Sequence, residues 1–177
     1  IYNKLVNEEN FCKTTRDDSD ATGEFCACNP DIGIPTDSPD NYNYWETGCV
    51  IIEGGVITSV GDRKSVLIPD NALIVDYGKD LILPGFVDGH AHYPQMNVIA
   101  SFGAKLIDWL NNFTFPEEAK FSDRSYASGI AKFFLSELLR NGYTTSSVFC
   151  TTHPQSVDEF FSQADQLGLR MIAGKVL

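Results

Sequence analysis

From Phe86 onward the chain alternates short strand-like runs with helical stretches, and this alternation constrains the fold more than any other feature of the sequence. Phe86 to His92, Thr144 to Cys150 and Leu169 to Leu177 read as three strands. A first helix is expected where Ile99, Phe102, Leu106, Ile107, Trp109 and Leu110 recur at near-helical spacing, ending near Asn111-Asn112. A second runs from Ser125 to Arg140 with Tyr126, Ile130, Phe133, Phe134 and Leu138 on its buried side, closed by Asn141-Gly142. Pro154 and then Ser156-Val157-Asp158-Glu159 read as a capping box that opens a third, with Val157, Phe160, Phe161, Ala164 and Leu167 inward and Gly168 at its end. Trp109 and Phe115 read as core rather than as cavity wall. Strand, helix, strand, helix, strand is how a parallel α/β sheet begins, and right-handed crossovers make a barrel start its natural topology.

Upstream the pattern changes. Gly48 to Gly61 holds two β-branched runs joined at Gly54-Gly55, the sequence form of a hairpin. Ala72 to Asp76 and Leu81 to Leu83 add two short strands around the turn Tyr77-Gly78-Lys79-Asp80. Residues 1 to 46 are rich in Asn, Asp, Thr, Gly and Pro, show no useful periodicity and read as loop, with Lys13 to Asp20 as a solvated surface.

With 177 residues the chain is too short for a complete (β/α)8 barrel, which takes about 250. It begins with Ile rather than Met and stops inside an apolar run, so a piece cut at both ends is expected. At 43% hydrophobic and 12% aromatic residues it should be globular. A net charge of -11 with no basic run argues against a nucleic-acid partner. No apolar stretch nears the roughly 20 residues of a membrane helix, and Ile1 to Asn10 lacks a signal-peptide core, so no membrane partner is expected. Cys12, Cys26, Cys28, Cys49 and Cys150 leave one unpaired in any disulfide scheme, which suggests a reducing, cytoplasmic setting. Cys26-Ala27-Cys28 reads as free thiols in a loop or as half of a zinc site whose second half does not follow.

The chemistry gathers where the apolar run Leu81-Ile82-Leu83 leads into Pro84-Gly85-Phe86-Val87-Asp88-Gly89-His90-Ala91-His92-Tyr93-Pro94-Gln95. On a strand, side chains alternate, so Asp88, His90 and His92 share a face. Two neutral imidazoles on one face can hold one divalent ion. By itself the pair fits exposed or hydrogen-bonded histidines as well.

Pro84 to His92 resembles the first barrel strand of the amidohydrolase superfamily, and the match narrows to its guanine deaminase family. The narrowing residues are Tyr93-Pro94-Gln95, Asp108-Trp109-Leu110, Thr114 to Glu118, Thr151 to Asp158 and Arg170 to Val176, four further blocks and one extension in a single order. The resemblance implies an α/β fold: the start of a TIM-like (β/α)8 amidohydrolase barrel, about three of eight strands, preceded by part of a small β-sandwich. The expected division is an irregular segment 1–46, a partial β-sandwich 47–83 with an open edge, and the barrel portion 84–177. It implies zinc as the cofactor, with His90 and His92 as metal ligands, and guanine as the substrate, bordered by His92, Tyr93, Pro94 and Gln95. The reaction implied is hydrolytic deamination to xanthine and ammonia by a full-length homodimeric enzyme. The other ligands, two histidines and an aspartate, the acid/base glutamate and an Arg-Phe pair on the base come from later strands in that family. No catalytic residue is therefore expected within this chain.

The resemblance gives His153 no role, and a hydrogen bond at a helix start is the duty expected of it. Asp88 should brace the barrel interior rather than bind metal, and Tyr143 stands where the family usually has Thr. Two other readings stay open: an amidohydrolase acting on another aminated heterocycle, and an inactive truncation that binds a partner through exposed sheet edges.

Overall fold

The computed structural model describes residues 25–28, 31–35 and 41–177, so the readings placed on Cys12 and on Lys13 to Asp20 lie outside the described residues. The chain divides into two compact units, Ile1–Gly85 and Phe86–Leu177.

In the first unit the β-branched run of β4 (Gly48–Glu53) is buried on both faces for five successive residues, which makes it the centre of the unit. It turns through Gly54 and Gly55, both at positive φ, into β5 (Val56–Asp62), as the hairpin reading requires. One sheet has the order β5-β4-β1-β6, with β1 (Phe25–Cys28) antiparallel to β4 and parallel to β6 (Leu73–Asp76). A second has the order β3-β2-β7, built from β2 (Asp31–Pro35), β3 (Tyr42–Trp45) and β7 (Leu81–Ile82). Val50 and Ile52 pack with Ile32, Tyr77 and Ile82, while Ile51 and Cys49 pack on the other side with Cys26. Three strands thus lie inside the stretch read as loop. They are four or five residues long, so pairing with one another and with β4, β6 and β7 defines them rather than periodicity.

In the second unit β8 (Phe86–His92), β9 (Tyr143–Phe149) and β10 (Arg170–Gly174) form a parallel sheet in the order β10-β9-β8. One face is covered by α3 (Arg124–Arg140) and α4 (Pro154–Gln166). Tyr93, Phe121, Phe134, Leu135, Val148 and Phe160 form the centre of that core. Asp123 caps α3 by accepting from the N–H groups of Ser125 and Tyr126. Gly142 and Gly168 adopt the positive φ that ends each helix.

Several local expectations change. Phe133 and Phe161 are exposed, and the small residues Ala127 and Ala131 of α3 face the core, as Ala164 of α4 does where it was expected to. Ser156 forms no capping box: its hydroxyl donates to the His153 carbonyl and accepts from the Thr151 N–H. The first helix starts at Leu106, not Ile99. Ala100 sits at φ 64°, and Gly103 lies so close to Trp109 that a Cβ there would be 2.6 Å from the Trp109 Cβ. From Leu106 the chain runs through α1 (Leu106–Trp109), a π-helical stretch (Leu110–Thr114), α2 (Phe115–Glu118) and a 3-10 turn (Ala119–Ser122), passing Asn111-Asn112 without ending. Phe115 is exposed and Trp109 half-buried, so Phe115 is not core.

Candidate metal centre

The C-terminal end of β8 presents the two histidines. Between Asp88 and Ala91 the pairing with β9 slips by one residue, a bulge that interrupts simple alternation. Asp88 turns its carboxylate onto its own strand, accepting from the His90 N–H at 3.0 Å, and this bond steadies the bulge. His90 and His92 nonetheless converge, with their Nε2 atoms 3.3 Å apart. Two nitrogens each about 2.0–2.1 Å from one tetrahedral ion lie roughly 3.3–3.4 Å apart, so the pair fits two adjacent corners of such a site. Burial and the neighbouring His90 push the His92 imidazole below its ordinary pKa, which favours the neutral, ligating form. Among the described residues no group of three or more His, Cys, Asp or Glu side chains is placed to hold a metal, and the pair by itself offers two donors.

Phe149, the last residue of β9, walls the pair. Its ring stacks on His92 at 4.9 Å and 17° and meets His90 edge-on at 5.3 Å. Sequence reasoning missed it, although the C-terminal end of a parallel strand is where site residues collect.

The turn after β8 is a 3-10 helix, Tyr93–Val98, with Pro94 in its first turn. Tyr93 and Pro94 do not line the histidine pair. The Tyr93 ring is fully buried against Phe121 and Phe160, and its hydroxyl donates to the Ser156 carbonyl at 2.6 Å. Burial drives that phenol far above its ordinary pKa, so it stays a neutral donor. Pro94 is buried beside it. Both act as the footing of the turn.

Gln95 lies beside His92. Its Nε2 lies 3.4 Å from His92 Nδ1 and 3.5 Å from Glu118 Oε1. Burial raises the Glu118 carboxyl pKa, against the pull of the Gln95 hydrogen bond and the charge of His153. The adjacent Glu117 is buried and accepts from Asn97 Nδ2 at 3.0 Å, from Lys120 Nζ at 2.5 Å and from the Tyr126 hydroxyl. Successive carboxylates of α2 therefore hold alternate side chains of the turn that follows the metal pair. The sequence marked them only as the end of the Thr114 to Glu118 block of the resemblance, with no role attached. His153 occupies the N-cap position of α4, yet its Nδ1 bonds back to Thr151 Oγ1 at 3.1 Å rather than to the helix.

A parallel sheet whose strand ends carry a His-x-His pair is the arrangement of a metal-dependent hydrolase. The amidohydrolase family pattern matches residues 81–177, more than half of the chain, and the chain belongs to that family. A guanine deaminase of Escherichia coli strain K12 is 41% identical over 157 residues, which is 88% of this chain and 36% of that protein. The solved structure of E. coli guanine deaminase superposes with a TM-score of 0.80 at 40% identity, covering 86% of this chain and 37% of that one. A guanine deaminase from C. acetobutylicum, solved with guanine in its active site, gives 0.73 at 29% identity over 86% of this chain and 36% of that one. The chain spans about a third of the length of the curated relatives it matches.

Proposed function

We propose that this chain is the N-terminal part of a zinc-dependent enzyme that hydrolyses guanine to xanthine and ammonia. The observation that carries the reading is the convergence of His90 Nε2 and His92 Nε2 at 3.3 Å, with the Gln95 amide one turn further on. Resemblance to guanine deaminases along nearly nine tenths of the chain adds the substrate. In the proposed whole, β8, β9 and β10 are the first three strands of an eight-stranded barrel, residues 84–177 belong to it, and the sheets before it belong to a β-sandwich. The enzyme is a cytoplasmic homodimer.

The exocyclic amine of guanine is a poor leaving group on a stable ring, so hydrolysis needs an activated nucleophile and a placed proton donor. Zinc bound at the two imidazoles would supply a water activated at neutral pH. His90 and His92 would hold it through Nε2, and the lowered basicity of His92 keeps that nitrogen unprotonated. Phe149 walls one side of the pair, stacked on His92 and edge-on to His90. Gln95 addresses the polar edge of the base, with His92 beside it. The proton donor belongs to later parts of the enzyme.

The test uses the full-length protein. Purified wild type should carry stoichiometric zinc and convert guanine to xanthine, with adenine turned over far less. His90→Ala and His92→Ala should each lose bound zinc and reduce turnover by more than about a hundredfold, beyond the 10–100-fold cost of losing a supporting partner. Variants that keep both zinc and turnover would refute the assignment.

A further inference from the structure

The Gln95 carboxamide can present either end to a ligand, and the two ends recognise opposite chemistry: the NH2 donates, while the carbonyl accepts. An ionised carboxylate accepts only. With Glu118 Oε1 at 3.5 Å and His92 Nδ1 at 3.4 Å, both contacts of Gln95 run through its NH2 end. Among the described residues its carbonyl oxygen has no hydrogen-bond donor. The turn that carries Gln95 is fixed independently, because Glu117 grips Asn97 two residues on. Glu118 and Glu117 sit on one short element, α2, so the backbone that anchors the turn also delivers the carboxylate that orients the amide.

We propose that Glu118 is a positioning residue for Gln95, holding its NH2 so that the carbonyl end meets the substrate and the site selects a ring that offers an N–H donor. The inference rests on the guanine reading above. Guanine presents N1–H and its 2-amino group on one edge, whereas adenine presents an unprotonated N1 with no amine at position 2. An acceptor facing that edge favours the first and leaves the second unpaired. When His92 carries a metal on Nε2, its Nδ1 becomes a donor and ceases to compete for the amide hydrogens. Glu118 is then the partner that keeps the carbonyl from swinging toward His92.

Glu118→Gln decides the matter because it keeps the shape. Its amide can accept from Gln95 or donate to it, so both orientations become available. In the full-length protein, Glu118→Gln should raise the guanine KM by about tenfold, the worth of one charge-assisted hydrogen bond at the weak end of its range. Turnover number should change less, and competitive inhibition by adenine should tighten. Glu118→Asp, too short to reach, should behave likewise. Placed on a Gln95→Ala background, Glu118→Gln should have no further effect on KM. A uniform fall in kcat with unchanged KM and unchanged adenine inhibition would overturn the proposal and leave Glu118 a structural residue.

A second readout is independent of any purine. Melting temperatures of Gln95→Ala, Glu118→Gln and the double variant, measured without ligand, should be non-additive; strictly additive shifts would overturn the proposed contact. If wild type fails to turn over guanine, the functional reading falls, and the melting cycle still decides whether Glu118 holds Gln95.

Discussion

At the scale of single residues, two carboxylates of α2 contact side chains of the turn that follows the histidine pair. Burial alone would raise the Glu117 pKa, but hydrogen bonds from Lys120, Tyr126 and Asn97 outweigh it and hold the carboxyl below its usual range. A carboxyl with a depressed folded-state pKa contributes stability that is present above its unfolded pKa and lost as pH falls through the folded one. The Tm of the full-length wild type should therefore fall more steeply than that of Glu117→Gln as pH drops below the ordinary carboxylate range. Parallel Tm profiles would show that the hydrogen bonds to the Glu117 carboxylate contribute nothing to stability. The His90–His92 pair was legible from its spacing along one strand, and Gln95 was singled out through the resemblance of the segment that follows it. Phe149, Glu117 and Glu118 were not, since they reach the site from elements 20 or more residues away.

At the scale of elements, helices with strong end signals were read well and short strands poorly. The starts and stops of α3 and of β4–β5 follow from Asp123, Gly142 and Gly54-Gly55, whose effects are local. β2 has no such signal and exists through its neighbours. Its Ile32 is buried against Gly48 of β4, where a Cβ would stand 2.3 Å from both Cδ1 and Cγ1 of that isoleucine. Gly48→Ala must displace a fully buried side chain and should cost about 1–3 kcal/mol by overpacking. Denaturant unfolding of the full-length protein measures this, and a loss below about 0.5 kcal/mol, the level of an inconsequential surface change, would show that the two strands do not pack as described. The apolar spacing from Ile99 to Leu110 misled for a related reason. Phe102 is 84% exposed, so that spacing records no buried helical face within this chain.

At the scale of the whole molecule, the parallel sheet of the second unit is covered on one face and bare on the other. Val87 and Ile172 are 70% and 67% exposed, and Phe149 is exposed as well. Parallel sheets are normally buried on both faces, because exposed apolar strands of this kind invite association. The 177-residue chain expressed alone should accordingly aggregate or melt without cooperativity in light scattering and calorimetry. A monodisperse monomer with one sharp transition would contradict that. What the sequence by itself determined is local: the strand–helix alternation, the helix stops, the hairpin and the His-x-His pair, all set by backbone preferences and by the side-chain period along one element. Only the tertiary structure decided that β1 to β3 exist, that the Tyr93 ring is buried as a support of the turn, and that Phe149 and Glu118 meet the histidine turn. Those outcomes depend on contacts between residues far apart in the chain, which no local pattern encodes.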